Sequence, residues 1–208
     1  MDLTIDTPPI IAILRGVRPE EVLDIAAALV ETGIRSIEVP LNSPDPYESL
    51  RRLCSVYATT CVCGAGTVTT PDQVERVHEA GGSLILAPNT DASVIGRARE
   101  LGLAAMPGFA TATEAFVALS AGARHLKLFP AATYGPAHVK ALRAVLPPAT
   151  RIFAVGGIEA SAMQPWLHAG VDGFGIGGEI YRPGQRAEQV ARQALAVVDA
   201  YQAAADLT

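Results

Sequence analysis

With 208 residues, 50% of them hydrophobic and 18% charged, the chain has the composition of a compact globular protein and not of a disordered or fibrous one. Sixteen basic residues against 21 acidic ones give a net charge of -5, which leaves no basic surface for nucleic acid or an anionic membrane. Any phosphate must therefore be recognised by local geometry. No run approaches the roughly 20 apolar residues of a membrane span, and the opening "MDLTIDTPP" lacks the charged and apolar regions of a signal peptide. A cytoplasmic protein is expected, with one domain over residues 1–208.

Short β-rich apolar runs recur along the chain: "IIAILRG", "SIEVPLN", "CVCGAGT", "LILAPN", "LAAMPG", "HLKLFPA", "RIFAVGG" and "GFGIGGE". These read as eight strands. Between them lie segments such as "PEEVLDIAAALVETG", "TPDQVERVHEAGG", "DASVIGRARELG" and "TATEAFVALSAGA". Each opens on Pro, Thr or Asp and ends near Gly, the start and stop signals of an amphipathic helix. The Ala-rich stretch 188–205 reads as a closing helix. Strands alternating with such helices require parallel pairing through right-handed crossovers, and eight units are what a (β/α)8 TIM barrel needs. An open doubly wound sheet is the alternative, but no GxGxxG follows the first strand.

In a TIM barrel the chemistry gathers at the C-terminal ends of the strands. Arg15, Glu38, Thr67, Asn89 and Lys127 all fall there. Strand alternation sets Lys127 opposite Leu126 and Leu128, and Glu38 opposite Ile37 and Val39, so both face the barrel axis. Arg15 shares a face with Ile13 and Thr67 shares one with Ala65. A lysine is among the residues least often buried without a partner. Desolvation lowers its pKa and exposes a nucleophilic amine, and a neighbouring carboxylate can then move protons as an imine forms and hydrolyses. A structural Glu38–Lys127 ion pair is the plainer reading.

The runs "AVGGI" and "GIGGE" put glycine pairs, Gly156-Gly157 and Gly177-Gly178, after the seventh and eighth strands. TIM barrels often bind phosphate there through backbone N–H groups. Such pairs also make ordinary tight turns. His78, His125, His138 and His168 are scattered and suggest neither a metal site nor a triad, although His125 could lie beneath the pocket on the lysine's face. Cys54, Cys61 and Cys63 are too few for a disulfide framework and lack the companions of a zinc site. Tyr134, Trp166 and Tyr181 read as packing or interface residues.

The runs "IAILRG", "EVPLNSP", "GAGTV", "PGFATATEA", "LKLFPA" and "FAVGGI", in this order and spacing, closely resemble the bacterial class I aldolases acting on 2-keto-3-deoxy-6-phospho sugar acids. The resemblance covers nearly the whole chain. It implies a homotrimeric TIM barrel that needs no metal or organic cofactor, with Lys127 as the Schiff-base residue and Glu38 as general acid and base. Arg15, Gly66 and Thr67 would hold the carboxylate of the pyruvoyl half, with Pro88 and Phe129 shaping the pocket. The substrate would be a phosphorylated keto-deoxy sugar acid. Members of the family differ in which C4 epimer they cleave, and Val155 with Asn42-Ser43 matches the galactonate-cleaving branch. Gly178 replaces a serine that relatives often carry, so a bound phosphate would lean on backbone N–H groups.

Overall fold

The computed structural model describes residues 8–208, so the first seven residues of the N-terminal stretch read above lie outside it. Among the described residues the strands are β1 (Ile10–Ile13), β2 (Ser36–Pro40), β3 (Val62–Gly66), β4 (Leu84–Leu86), β5 (Ala104–Met106), β6 (Gly108–Phe109), β7 (His125–Leu128), β8 (Arg151–Val155) and β9 (Gly173–Ile176). Between them run α1 (Val22–Glu31), α2 (Pro46–Tyr57), α3 (Pro71–Glu79), α4 (Ala92–Glu100), α5 (Ala112–Ser120), α6 (Ala131–Tyr134), α7 (Pro136–Arg143) and α8 (Met163–His168), and α9 (Ala187–Ala205) follows β9. Three of the helices, α3, α4 and α5, begin where a side chain satisfies free N–H groups. Thr70 accepts from Gln73 N–H, Asp91 from Ser93 and Val94 N–H, and Thr111 forms a reciprocal capping box with Glu114.

Every strand pairing is parallel, in the order β5-β4-β3-β2-β1-β9-β8-β7-β6. The two ends of that order, β5 and β6, are consecutive in the chain and separated by Pro107 alone. The sheet therefore curls into a nearly closed, TIM-like barrel. Nine strands replace the expected eight because the run "LAAMPG" is broken in two. Pro107 has no N–H to give to a ladder. Up to Met106 the segment bonds toward β4, Ala87 N–H donating to Met106 O at 3.2 Å; from Pro107 it bonds toward β7, Lys127 N–H donating to Pro107 O at 2.9 Å.

Alternation sorts the core into two layers. Ala12, Leu14, Ile37, Val39, Ala65, Leu126, Leu128, Ile152 and Phe174 pack outward against the helices. Ile11, Ile13, Leu84, Leu86, Ala104, Met106, Phe153 and Val155 fill the axis. Glycines stand among the axial positions of β3 and β9, where larger side chains would collide. A Cβ on Gly64 would lie 2.2 Å from Leu84 O, and one on Gly173 would lie 2.4 Å from the Phe153 ring. His125 is axial and meets Phe153 at a tilt, with ring centroids 6.2 Å apart. It sits at the start of β7, below the lysine. The three cysteines are buried; Trp166 is buried too, whereas Tyr134 is exposed beside His138. Among the described residues no helix is long and apolar enough to cross a membrane.

Candidate active site

The axial parity that takes Ile11 and Ile13 inward takes Glu38 and Lys127 inward as well. The register aligns Ile13 with Glu38 across β1 and β2, and Lys127 with Phe153 across β7 and β8. Glu38 is 2% exposed and Lys127 is 5% exposed. Burial is the largest influence on both. It pushes the Glu38 carboxyl above the usual range, against the opposing pull of Lys127 and Arg15, and pushes the Lys127 amine below the ordinary lysine value, against the pull of Glu38 and with a push from Arg15. Glu38 Oε2 has no hydrogen-bond partner within the protein. A buried acceptor without a donor is costly, and this one lies at the wall of a cavity of about 710 Å³ at the C-terminal mouth of the barrel.

That cavity brings together most of the residues singled out from the sequence: Arg15, Glu38, Thr67, Pro88, Lys127, Phe129, Val155, Gly156, Gly157, Gly177 and Gly178 all line it. Phe129 presents its ring centroid 5.2 Å from the Lys127 ammonium nitrogen. Val155 is buried on the axis, directly before the Gly156-Gly157 turn, whose residues have φ of 97° and 72°. Glycine alone adopts such a turn without strain.

Several expectations need correcting. Thr67 reaches the cavity, but not because it shares a face with Ala65, which packs outward against the helices. Its backbone turns to φ 61° immediately after β3, and this breaks the alternation and swings the threonine back over the mouth. A β-branched residue in the left-handed region is an outlier that costs about 1–3 kcal/mol. Gly66 is absent from the cavity wall. A Cβ there would stand 1.4 Å from Glu38 Oε1, so Gly66 makes room for the carboxylate. Asn89 is exposed, and its carbonyl accepts from Gly108 N–H. Asn42 and Ser43 brace the first loop: Asn42 Oδ1 accepts from Arg15 at 2.6 Å, and Ser43 Oγ accepts from Gly16 N–H at 2.9 Å.

The sequence reading missed the segment after Gly178. Tyr181, assigned to packing, is buried and also lines the cavity, while its hydroxyl donates to Glu21 at 2.7 Å and its pKa is raised, chiefly by burial. Glu159, Glu179 and Arg182 line the same end. The run "EIYRPG" carried a signal in Arg182, a cation four residues beyond a glycine pair.

A desolvated lysine and a desolvated carboxylate at the C-terminal mouth of a parallel barrel define a barrel protein with an amine centre. The chain belongs to the KDPG and KHG aldolase family, whose description it matches over residues 1–194. The 2-dehydro-3-deoxy-6-phosphogalactonate aldolase of Escherichia coli strain K12 is 45% identical over 196 residues, covering 94% of this chain and 96% of that protein. The KHG/KDPG aldolase of the same strain is 30% identical over 163 residues, covering 77% of this chain and 75% of that protein. A solved structure described as "Native KDPGal structure" matches with a TM-score of 0.96 at 44% identity, covering 99% of this chain and 100% of that one.

The electrostatics of the site give a signed test. Arg15 lowers the pKa of Lys127, so Arg15→Met raises it and leaves less neutral amine at a given pH. The pH midpoint for acylation of Lys127 by acetic anhydride, read by mass spectrometry, is expected to lie below the ordinary lysine value of 10.5 in the wild type and to move upward in the variant. An unmoved or lowered midpoint in the variant would separate Arg15 electrostatically from the lysine.

Proposed function

We propose that this chain is a class I aldolase that cleaves 2-dehydro-3-deoxy-6-phospho-D-galactonate to pyruvate and D-glyceraldehyde 3-phosphate through an imine on Lys127. The observation that carries the proposal is the depressed, axial Lys127 beside the equally buried Glu38 in a cavity open at the barrel mouth. The 45% identity to the relative of that name supports the choice of substrate over the epimer, since the relative named for KHG and KDPG is 30% identical.

In this reading the neutral Lys127 amine attacks the C2 carbonyl and the carbinolamine loses water to give an iminium ion. Glu38 takes the proton of the C4 hydroxyl, directly or through water. The C3–C4 bond then breaks, its electron pair moves into the enamine and the iminium nitrogen, and glyceraldehyde 3-phosphate leaves. The proton held by Glu38 returns to C3, and water hydrolyses the imine to release pyruvate and the free amine. Both shifts serve these steps: a raised carboxyl holds a proton more readily, and a lowered amine is more often neutral and nucleophilic.

Arg15, with Thr67 beside it, would receive the carboxylate of the pyruvoyl half. Pro88 and Phe129 would wall the imine off from water, and Gly66 would keep the space into which Glu38 turns. The Gly156-Gly157 and Gly177-Gly178 turns, with Arg182, would hold the phosphate. A Cβ at Gly178 would meet nothing closer than Arg182 Nε at 4.0 Å, so that turn is open to a ligand oxygen. The chain is proposed to act in the cytoplasm as a single (β/α)8 domain and to form a homotrimer. Phe116 and Val117 of α5, each 44% exposed, offer an apolar contact for a second copy.

Sodium borohydride with pyruvate is expected to add the mass of a reduced pyruvyl group at Lys127; labelling at Lys140, or none, defeats the imine reading. Val155 stands where the middle carbons of the substrate would pass. Threonine there adds a hydroxyl of nearly equal volume, which can pair with one C4 configuration. Val155→Thr is expected to shift the kcat/KM ratio toward the gluconate epimer by about 1 kcal/mol, roughly fivefold. A ratio that stays put removes Val155 as an epimer filter. Sedimentation equilibrium is expected to give a mass three times that of the chain, and a monomer would contradict the proposed assembly.

A further inference from the structure

β1 and β9 pair in parallel, and the loops that leave their C-terminal ends both line the cavity, the first with Arg15 and the second with Gly177 and Gly178. One buried side-chain bond joins these loops. Tyr181, 3% exposed, gives its hydroxyl to Glu21 Oε1 at 2.7 Å, a link between residues 160 positions apart in the chain. Burial, with Glu21 beside it, raises the pKa of the phenol, so Tyr181 stays protonated and remains the donor. Each partner is fixed to its own loop. Glu21 Oε1 also accepts from Arg18 N–H at 3.1 Å, and its other oxygen lies 3.6 Å from the Arg18 guanidinium. On the far side, Ile180 and Tyr181 N–H donate to Gly177 O at 2.8 and 2.9 Å, and Arg182 Nε donates to Gly178 O at 3.0 Å, so residues 177–182 form one compact turn.

A second contact joins the same two loops. Gly16, directly after Arg15, has φ 85°, and a Cβ on it would lie 2.7 Å from Pro183 Cγ, so the proline packs on its bare face. The two loops are not equally supported. Asn42 and Ser43 brace the Arg15 loop from the β2 side as well. Among the described residues, the turn 177–182 reaches other loops through two side chains, the buried Tyr181 and the exposed Glu179, which accepts from Ala160 N–H. Loss of the Tyr181 bond therefore frees the turn more than it frees Arg15. A substrate gripped at both ends gains affinity when the two grips are held at a fixed separation beforehand. We propose that Tyr181 and Glu21 are positioning residues that hold the Gly177-Gly178 turn in place relative to Arg15, so that the end of the substrate remote from the imine meets a preset site. The inference rests on the aldolase reading of the cavity.

Tyr181→Phe keeps the buried ring and removes only the donor, and Glu21 Oε1 retains Arg18 N–H, so no acceptor is orphaned. Two quantities are compared in the variant and the wild type: the KM for D-glyceraldehyde 3-phosphate in condensation with pyruvate, and the pyruvate concentration that half-saturates borohydride trapping. The first reads both ends of the cavity and the second reads the inner end alone. The KM is expected to rise about fivefold, as for one net hydrogen bond lost, while the half-saturating pyruvate stays within about twofold. Glu21→Ala is expected to reproduce this split, Glu21→Gln, which keeps an acceptor for the phenol, to restore the wild-type KM, and the Tyr181→Phe, Glu21→Ala double variant to show no further rise. An unmoved KM, an equal rise in both quantities, or additive effects in the double variant overturns the positioning role. The trapping arm also separates the two failures. Labelling at Lys127 in the wild type with an unmoved KM in the variants sinks the positioning proposal alone, whereas no labelling in the wild type sinks the aldolase reading beneath it.

Discussion

Two ionisable side chains kept almost dry on the axis of a parallel barrel set the terms for the rest of this molecule. Glu38 and Lys127 are each pushed by burial toward their neutral forms, and their mutual attraction opposes that push without cancelling it. The sign of each effect on stability follows from linkage. The folded chain gives up the lysine proton more readily than the unfolded chain, so Lys127 favours folding at high pH and penalises it as pH falls through its lowered value. The folded chain keeps the carboxyl proton longer, so Glu38 favours folding at low pH and penalises it as pH rises through its raised value. Both penalties act across the neutral range. Apolar side chains of similar volume would often be as stable or more so, so stability alone does not account for the pair.

The surroundings of the pair follow from the space it needs. β3 carries Gly64 and Gly66 on its axial face because Leu84 O crowds the first position and the Glu38 carboxylate fills the second. One step further on, Thr67 takes a left-handed backbone conformation that a β-branched residue avoids. That strain lies at the mouth of the cavity and not in the helical layer, which is where a rigid barrel can hold an unfavourable loop geometry in place. Two strands further round the barrel, the segment from β5 to β6 gives up continuous pairing at Pro107. The same proline carbonyl takes the backbone N–H of Lys127, so the break in the barrel helps to anchor the strand that carries the amine.

What could be read in advance follows from which residues obey a period. Lys127 and Glu38 lie within strands, where alternation has one answer, and their inward direction was legible before any coordinates. The parallel barrel was legible for the same reason, from helix signals between β-rich runs. Pro107 was visible, but whether a proline ends a strand or only dents it depends on the neighbours that ladder with it, and these are set by closure of the barrel. Thr67 was assigned to the right place by a parity that Ala65 contradicts, because one left-handed residue resets the alternation. Gly66 has no side chain to declare a role, and its function as empty space appears only when Glu38 is seen to fill it. Tyr181, Glu159, Glu179 and Arg182 lie in loops, where no repeat fixes direction.

The two ends of the cavity therefore differ in kind. At the inner end, strand register, a missing Cβ and the packing of Phe153 and Phe129 leave Glu38 and Lys127 little freedom. At the outer end the determinants are exposed side chains on short loops, joined by single hydrogen bonds such as Glu179 to Ala160 and Arg182 to Gly178. Charges there are screened and each contributes modestly, but substituting them disturbs no core packing and leaves Glu38 and Lys127 in place. A barrel built this way can hold its bond-breaking step fixed while the part of the substrate that it prefers drifts by single loop substitutions. Glu159, Glu179 and Arg182, all exposed, lie at the end where such drift costs the fold least.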